Sequence, residues 1–123
     1  MKEIFAIIRP KMVNATKNAL AEIGFPGITA MSAMGRGWQR GIHEEVNVEM
    51  RMKALAQGFS RGMDYIPKRF LSIVVKDEDL ETVVKTIIQV NQTSKIGDGK
   101  SFVCPVTKTI GVRTGEVCDS AEE

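Results

Sequence analysis

Two glycine-rich segments hold the residue types that can do chemistry. The first, SKIGDGKSF (Ser94–Phe102), contains the Gly-Lys-Ser that closes a phosphate-binding P-loop. A P-loop needs another glycine five residues before Gly99, and that position is Ser94. The order of elements excludes it as well. A P-loop follows a strand and opens a helix, whereas this segment follows a helical pattern and opens a strand-like one. Gly97 and Gly99 still permit tight curvature, Asp98 can brace it, and Lys100 offers a point charge to a phosphate. A plain tight turn with an exposed lysine explains the same residues, and spacing leaves both readings open.

The second segment, GRGWQRG (Gly35–Gly41), misses a dinucleotide GxGxxG because Gly41 stands four residues after Gly37 rather than three. It also leads into a polar stretch, not a helix, so the dinucleotide reading is rejected. What remains is backbone N–H groups flanked by Arg36 and Arg40, an anion site of lower specificity. Arg113, in GVRTGE, is a further cation that can converge on the first segment. Other chemistries find little support. Cys104 and Cys118 have no CxxC spacing and His43 is the only histidine, which argues against a Cys/His metal site and for free thiols. No nucleophile motif lies near His43, so hydrolysis of the Ser/His/Asp or Cys/His kind is not expected.

Residues that grip an anion need elements to hold them. EIFAIIRP is a β-branched and aromatic run stopped by Arg9-Pro10 and reads as a buried strand. Met12, Thr16, Ala19, Leu20 and Ile23 then fall at helical spacing, with Gly24 where a C-terminal cap belongs. GITAMSAMG (Gly27–Gly35) reads as a second strand. The order repeats. RFLSIVV (Arg69–Val75) is the clearest strand in the chain, and KDEDLETVVKTIIQVNQ is an amphipathic helix with carboxylates in its first turn. FVCPV and TKTIGVR supply the closing strands, and Pro105 puts the last sheet strand at an edge or a bulge. The expected fold is α+β, a ferredoxin-like βαββαβ sandwich with two helices on one face of a four-stranded sheet.

Arg36–Pro67, 32 residues between two strands, is far too long for a hairpin turn. Met50, Met52, Leu55 and Phe59 favour a loop that folds onto a partner over a solvated linker. The 123-residue chain is read as one domain of ordinary globular composition, with 43% hydrophobic and 26% charged residues. A net charge of +2 is too small to argue for nucleic acid, and strand aromatics that stack bases are not evident. No apolar run approaches the roughly 18 residues of a membrane span, so no membrane insertion and a cytoplasmic location are expected.

Over nearly its whole length the sequence resembles the PII family of nitrogen-regulatory signal proteins. The residues that carry the likeness are AIIRPKMVNATKNALAEIGFPGITA, GRGWQRG, PKRFLSIVV, TSKIGDGKSFV and VRTGE. The resemblance implies a trimer, homomeric or mixed with a PII-like paralogue, binding ATP or ADP between subunits and 2-oxoglutarate beside Mg-ATP. It implies no enzymatic activity. By position, Thr29, Gly35 and Val74 would line the adenine end. Gly37, Arg40, Gly97, Gly99 and Lys100 would hold phosphates, with Asp98 in the same loop and Arg113 reaching in from a neighbouring subunit. Gln39 would ligate Mg²⁺ together with the phosphates and 2-oxoglutarate, whose distal carboxylate would pair with Lys68. The T-loop would span about 37–67, the phosphate-gripping loop about 94–100 and a C-terminal tail about 114–123.

The departures from the family pattern are Trp38 and Gly111, where the family has arginines, and Ser72, where it has a glutamate. Arg36 stands where it can compensate for Trp38. The GRGxQ base, the PKR segment and the non-standard loop look most like the nitrogenase-associated NifI branch, second of its paired paralogues. The implied function is inhibition of a nitrogenase component through the T-loop, relieved by 2-oxoglutarate and ATP. The alternative is regulation of an ammonium transporter or another nitrogen-assimilation protein.

Overall fold

β1 (Lys2–Ile8) alternates strictly, with Ile4, Ala6 and Ile8 buried while Phe5 and Ile7 face the other way. Arg9 holds the extended backbone that a following proline imposes, and Pro10 opens a short 3-10 turn (Pro10–Met12) into α1 (Val13–Glu22). The expected cap is present. Gly24 has φ +96°, its N–H donates to the Ala21 carbonyl at 3.0 Å, and the Phe25 N–H donates to Leu20 at 2.8 Å. That bonding is a Schellman motif, which satisfies carbonyls the helix end would otherwise orphan. β2 (Thr29–Gly35), β3 (Ile66–Val75), α2 (Leu80–Asn91) and β4 (Gly99–Pro105) follow. This computed structural model describes residues 1–36 and 65–118. The expectations for Gly37, Trp38, Gln39, Arg40 and most of the T-loop therefore lie outside the described residues, as does 119–123.

The sheet order is β2-β3-β1-β4, with every pair antiparallel. That is the expected βαββαβ sandwich. Ile4, Ala6, Ile8, Leu71, Ile73 and Val75 meet Leu20 of α1 and Val83 and Ile87 of α2 in one core. Carboxylates at Asp77, Glu78 and Asp79 precede α2, where its positive dipole end favours them. Of the apolar positions read along α2, Ile88 turns outward and is 47% exposed. β4 is an edge strand, and Pro105 sits at its end, where a missing N–H costs no ladder bond.

Two boundaries differ from the sequence reading. β3 starts at Ile66, so the long connection ends at Tyr65 rather than Pro67. Pairing of Ile66 with Gly35 and of Pro67 with Met34 extends the β2–β3 ladder. Pro67 is tolerated because β1 pairs no further than Arg69, which leaves that side of the strand without a ladder. Val117–Cys118, within the stretch read as a tail, forms a short strand (β6) against β5 (Thr109–Ile110). Among the described residues no helix is long and apolar enough to cross a membrane.

The second face of the sheet carries Phe5, Ile7, Met31, Phe70 and Phe102, and neither helix covers it. Phe5 and Phe70 stack at 5.2 Å between ring centroids, and Met31 and Phe102 are 54% and 48% exposed. On the helix side, α1 and α2 are joined by one buried polar contact. Asn91 Nδ2 donates to Thr16 Oγ1 at 3.0 Å and to the Ile87 carbonyl at 2.9 Å, while the Thr16 hydroxyl donates to Met12 at 2.7 Å. Thr16→Val leaves an Asn91 N–H buried without its acceptor and should cost about 1–3 kcal/mol in urea unfolding. The Thr16→Val/Asn91→Leu double variant should recover part of that loss, and strictly additive losses would contradict this account.

Candidate functional site

Antiparallel pairing brings the C-terminal ends of β1 and β2 to the same end of the sheet as the N-terminal ends of β3 and β4. On the open face at that end lies a cavity of about 330 Å³. Gly35 and Lys68 border it from β2 and β3, and Gly97, Gly99 and Lys100 from the glycine loop. Ile7, Ile66, Ile96 and Phe102 form its apolar part. Arg36, Lys68 and Lys100 are its charged residues, and among the described residues no carboxylate lines it. A one-signed cluster of cations in an apolar recess favours an anion of the size of a small organic ligand. A groove of about 340 Å³ on the helix side has a floor of Ile8, Val84 and Ile87, and its one cation, Lys100, is matched by Asp98.

The loop that forms one wall is built around Asp98. Its Oδ2 accepts the backbone N–H groups of Thr93 and Ser94 at 2.7 and 2.9 Å, and its Oδ1 accepts the Thr93 hydroxyl. Ser94 adopts φ +66°, so the position where a P-loop would carry glycine does take a glycine-like conformation. Its N–H, however, is spent on Asp98 and not offered to a ligand. Arg9 completes the brace: its guanidinium donates to Asp98 Oδ1 at 2.6 Å and to the Ile96 carbonyl at 3.1 Å, with Arg9 only 2% exposed. Gly99 has φ +121°, and a Cβ there would lie 2.0 Å from the Ile7 carbonyl oxygen. Only glycine fits where the loop joins β4.

Lys68 is 7% exposed and its ammonium donates to the Gly97 carbonyl at 2.8 Å. The residue expected to meet an organic carboxylate thus already touches the loop expected to meet phosphate.

Of the expected site residues, Gly35, Lys68, Gly97, Gly99 and Lys100 share the cavity, and Asp98 braces its wall. Thr29 and Val74 lie further up the sheet, paired with Ser72 and Glu3, and do not line it. Ser72 donates its hydroxyl to Glu3 Oε2 at 2.7 Å, so a carboxylate does stand beside the position of the missing family glutamate, supplied by β1. Arg113 lies in the turn between β5 and β6 and does not line the cavity. Gly37, Gln39 and Arg40 are outside the described residues, and among the described residues no cluster of His, Cys, Asp and Glu suits a metal ion. Sequence reasoning missed Arg9. An arginine before proline reads as a strand stop, and only its pairing partner 89 residues away gives it a role.

The family model described as nitrogen regulatory protein P-II matches residues 1–116. Nitrogen fixation nifHD1 region GlnB-like protein 2 of Methanosarcina barkeri is 53% identical over 116 residues, 94% of each chain. The nifHD region glnB-like protein 2 of Methanococcus maripaludis is 46% identical over 121 residues, 98% of this chain and 99% of its own. Nitrogen regulatory protein P-II 1 of Escherichia coli is 43% identical over the same length, with the same coverage. The expected likeness to the second member of the nitrogenase-associated pair is borne out by these relatives.

Burial pushes the Asp98 carboxyl up, but the Thr93 hydroxyl and N–H and the Arg9 guanidinium outweigh it and hold the group well below its ordinary 3.8. Because the folded value is depressed, the stabilisation is complete above about pH 4 and drains away as pH falls below it. Asp98→Asn should cost about 1.5–3 kcal/mol at pH 7. In urea unfolding at fixed protein concentration, that gap should narrow at pH 3; a gap that does not change with pH would refute the charged brace.

Proposed function

The chain belongs to the P-II family of nitrogen regulatory proteins, and on that premise we propose that it is a signalling sensor, not an enzyme, of ATP or ADP and 2-oxoglutarate. The carrying observation is the cavity that, among the described residues, is lined by three cations and no carboxylate, and is walled by a loop whose curvature Asp98 and Gly99 enforce. Gly97, Gly99 and Lys100 hold phosphate oxygens together with Gly37 and Arg40, and each charge-assisted hydrogen bond contributes about 1.5–3 kcal/mol. Thr29, Gly35 and Val74 serve the adenine end, and Arg113 approaches from an adjacent copy. Gln39 ligates Mg²⁺ when nucleotide and 2-oxoglutarate are bound, and Lys68 pairs with the organic acid's distal carboxylate.

The Lys68–Gly97 bond gives this reading a physical coupling. A carboxylate that draws on Lys68 acts on the residue in contact with the phosphate loop, so each ligand's affinity depends on the other's presence. The uncovered sheet face, with Phe5, Met31, Phe70 and Phe102, supports assembly of copies into a trimer, homomeric or with a paralogue. The names of the relatives support nitrogen fixation as the regulated process. The output is inhibition of a nitrogenase component through the T-loop, relieved by 2-oxoglutarate and Mg-ATP.

Calorimetry with Mg-ATP, alone and with 2-oxoglutarate, tests the sensor. The wild type should bind 2-oxoglutarate only with Mg-ATP present; absence of that binding sinks the proposal. Lys68→Ala should abolish the organic-acid response while nucleotide affinity stays within about threefold, under 0.7 kcal/mol. An unchanged response would remove Lys68 from the site. Added to active nitrogenase, the protein, alone or with its paralogue, should lower turnover until both ligands are supplied. Failure to inhibit in either form would move the target elsewhere.

A further inference from the structure

Gly35 and Ile66 are the last pair in the β2–β3 ladder, and continuing the register sets Arg36 opposite Tyr65. These two residues flank the whole of 37–64. They touch: the Arg36 guanidinium carbon lies 5.6 Å from the centroid of the Tyr65 ring, within cation–π range. Arg36 also borders the cation-lined cavity, whereas Tyr65 does not. One guanidinium therefore stands between an aromatic face at the foot of the long connection and an anion site at the end of the sheet.

We propose that Arg36 is a ligand-binding residue of the cavity, that Tyr65 holds it back by stacking, and that a phosphate-bearing ligand draws it off the ring. The proposal rests on the reading of the cavity as a phosphate site and adds a residue to it. The competition has a clear direction. An exposed cation–π contact is worth about two- to fivefold in an equilibrium, and a charge-assisted bond to a phosphate oxygen about ten- to a hundredfold. The ligand therefore takes the guanidinium. The affinity it shows is lowered by the fraction of molecules in which Tyr65 holds Arg36. By reciprocity, an occupied cavity frees the Tyr65 ring at the point where the long connection meets β3.

The test is a double-mutant cycle in the full chain, with Mg-ATP and inorganic triphosphate as probes and calorimetry as the readout. Arg36→Gln should weaken binding about tenfold or more. Tyr65→Leu should tighten it about two- to fivefold. In the Arg36→Gln background, Tyr65→Leu should change nothing, because the ring acts only through Arg36. The chain has a single tyrosine, so its ring resonances report the contact directly. Saturating triphosphate should move them toward their positions in Arg36→Gln. Unchanged affinity in Arg36→Gln, unchanged or weaker binding in Tyr65→Leu, or ring resonances indifferent to ligand would overturn the proposal. A wild type that binds neither probe overturns the phosphate reading and this proposal together, whereas binding that ignores Arg36 overturns this one alone.

Discussion

The ion pair between Arg9 and Asp98 is the constraint on which the site depends. It ties the residue that ends β1 to the loop that begins β4, across 89 positions of sequence. Arg9 is taken out of water and Asp98 partly so, and each charge is met by further hydrogen bonds. Asp98 collects Thr93 and Ser94, and Arg9 also caps the Ile96 carbonyl. With the carboxylate so committed, the loop turns its remaining surface, Gly97, Gly99 and Lys100, to the open face. A negative charge thus braces the wall of a cation-lined cavity, and Arg9 neutralises it.

The sheet gives that site its setting. Helices cover one face, so the apolar alternation of β1 and β3 is buried there against Leu20, Val83 and Ile87. The other face keeps aromatic residues along its length and ends in cations. Lys68 is the instructive case. It lies on the open-face side of β3 with Phe70 and Ser72 and reaches the Gly97 carbonyl, so a charged side chain is held buried on the face that no helix covers. That bond ties β3 to the Asp98-braced loop.

Much of this was legible in the sequence. Period-two runs in β1 and β3, the spaced apolar positions of α1 and α2, and Gly24 as a cap all rest on local physics, and the elements formed where that physics put them. Asp98 as a brace was legible too, because a carboxylate between two glycines has backbone N–H groups within reach. Arg9 was not, since its role exists only once strand pairing brings Asp98 to it. The start of β3 was misjudged for a similar reason: Pro67 argues against a strand until the one-sided ladder makes its missing N–H harmless. β6 is two residues long and has no periodicity to read. Thr29 and Val74 were given the adenine end by resemblance, and the sheet sets them further along the same face from the glycine loop.

The central claim is that the Asp98-braced loop is the part of the molecule that meets a phosphate-bearing effector. Hydrogen exchange of the full chain with and without saturating Mg-ATP tests it most directly. Amides of 94–101 should become markedly slower to exchange in the presence of ligand, and the helix-side residues of α1 should not change. Ligand binding that leaves 94–101 exchanging as before, with protection appearing elsewhere, would contradict it.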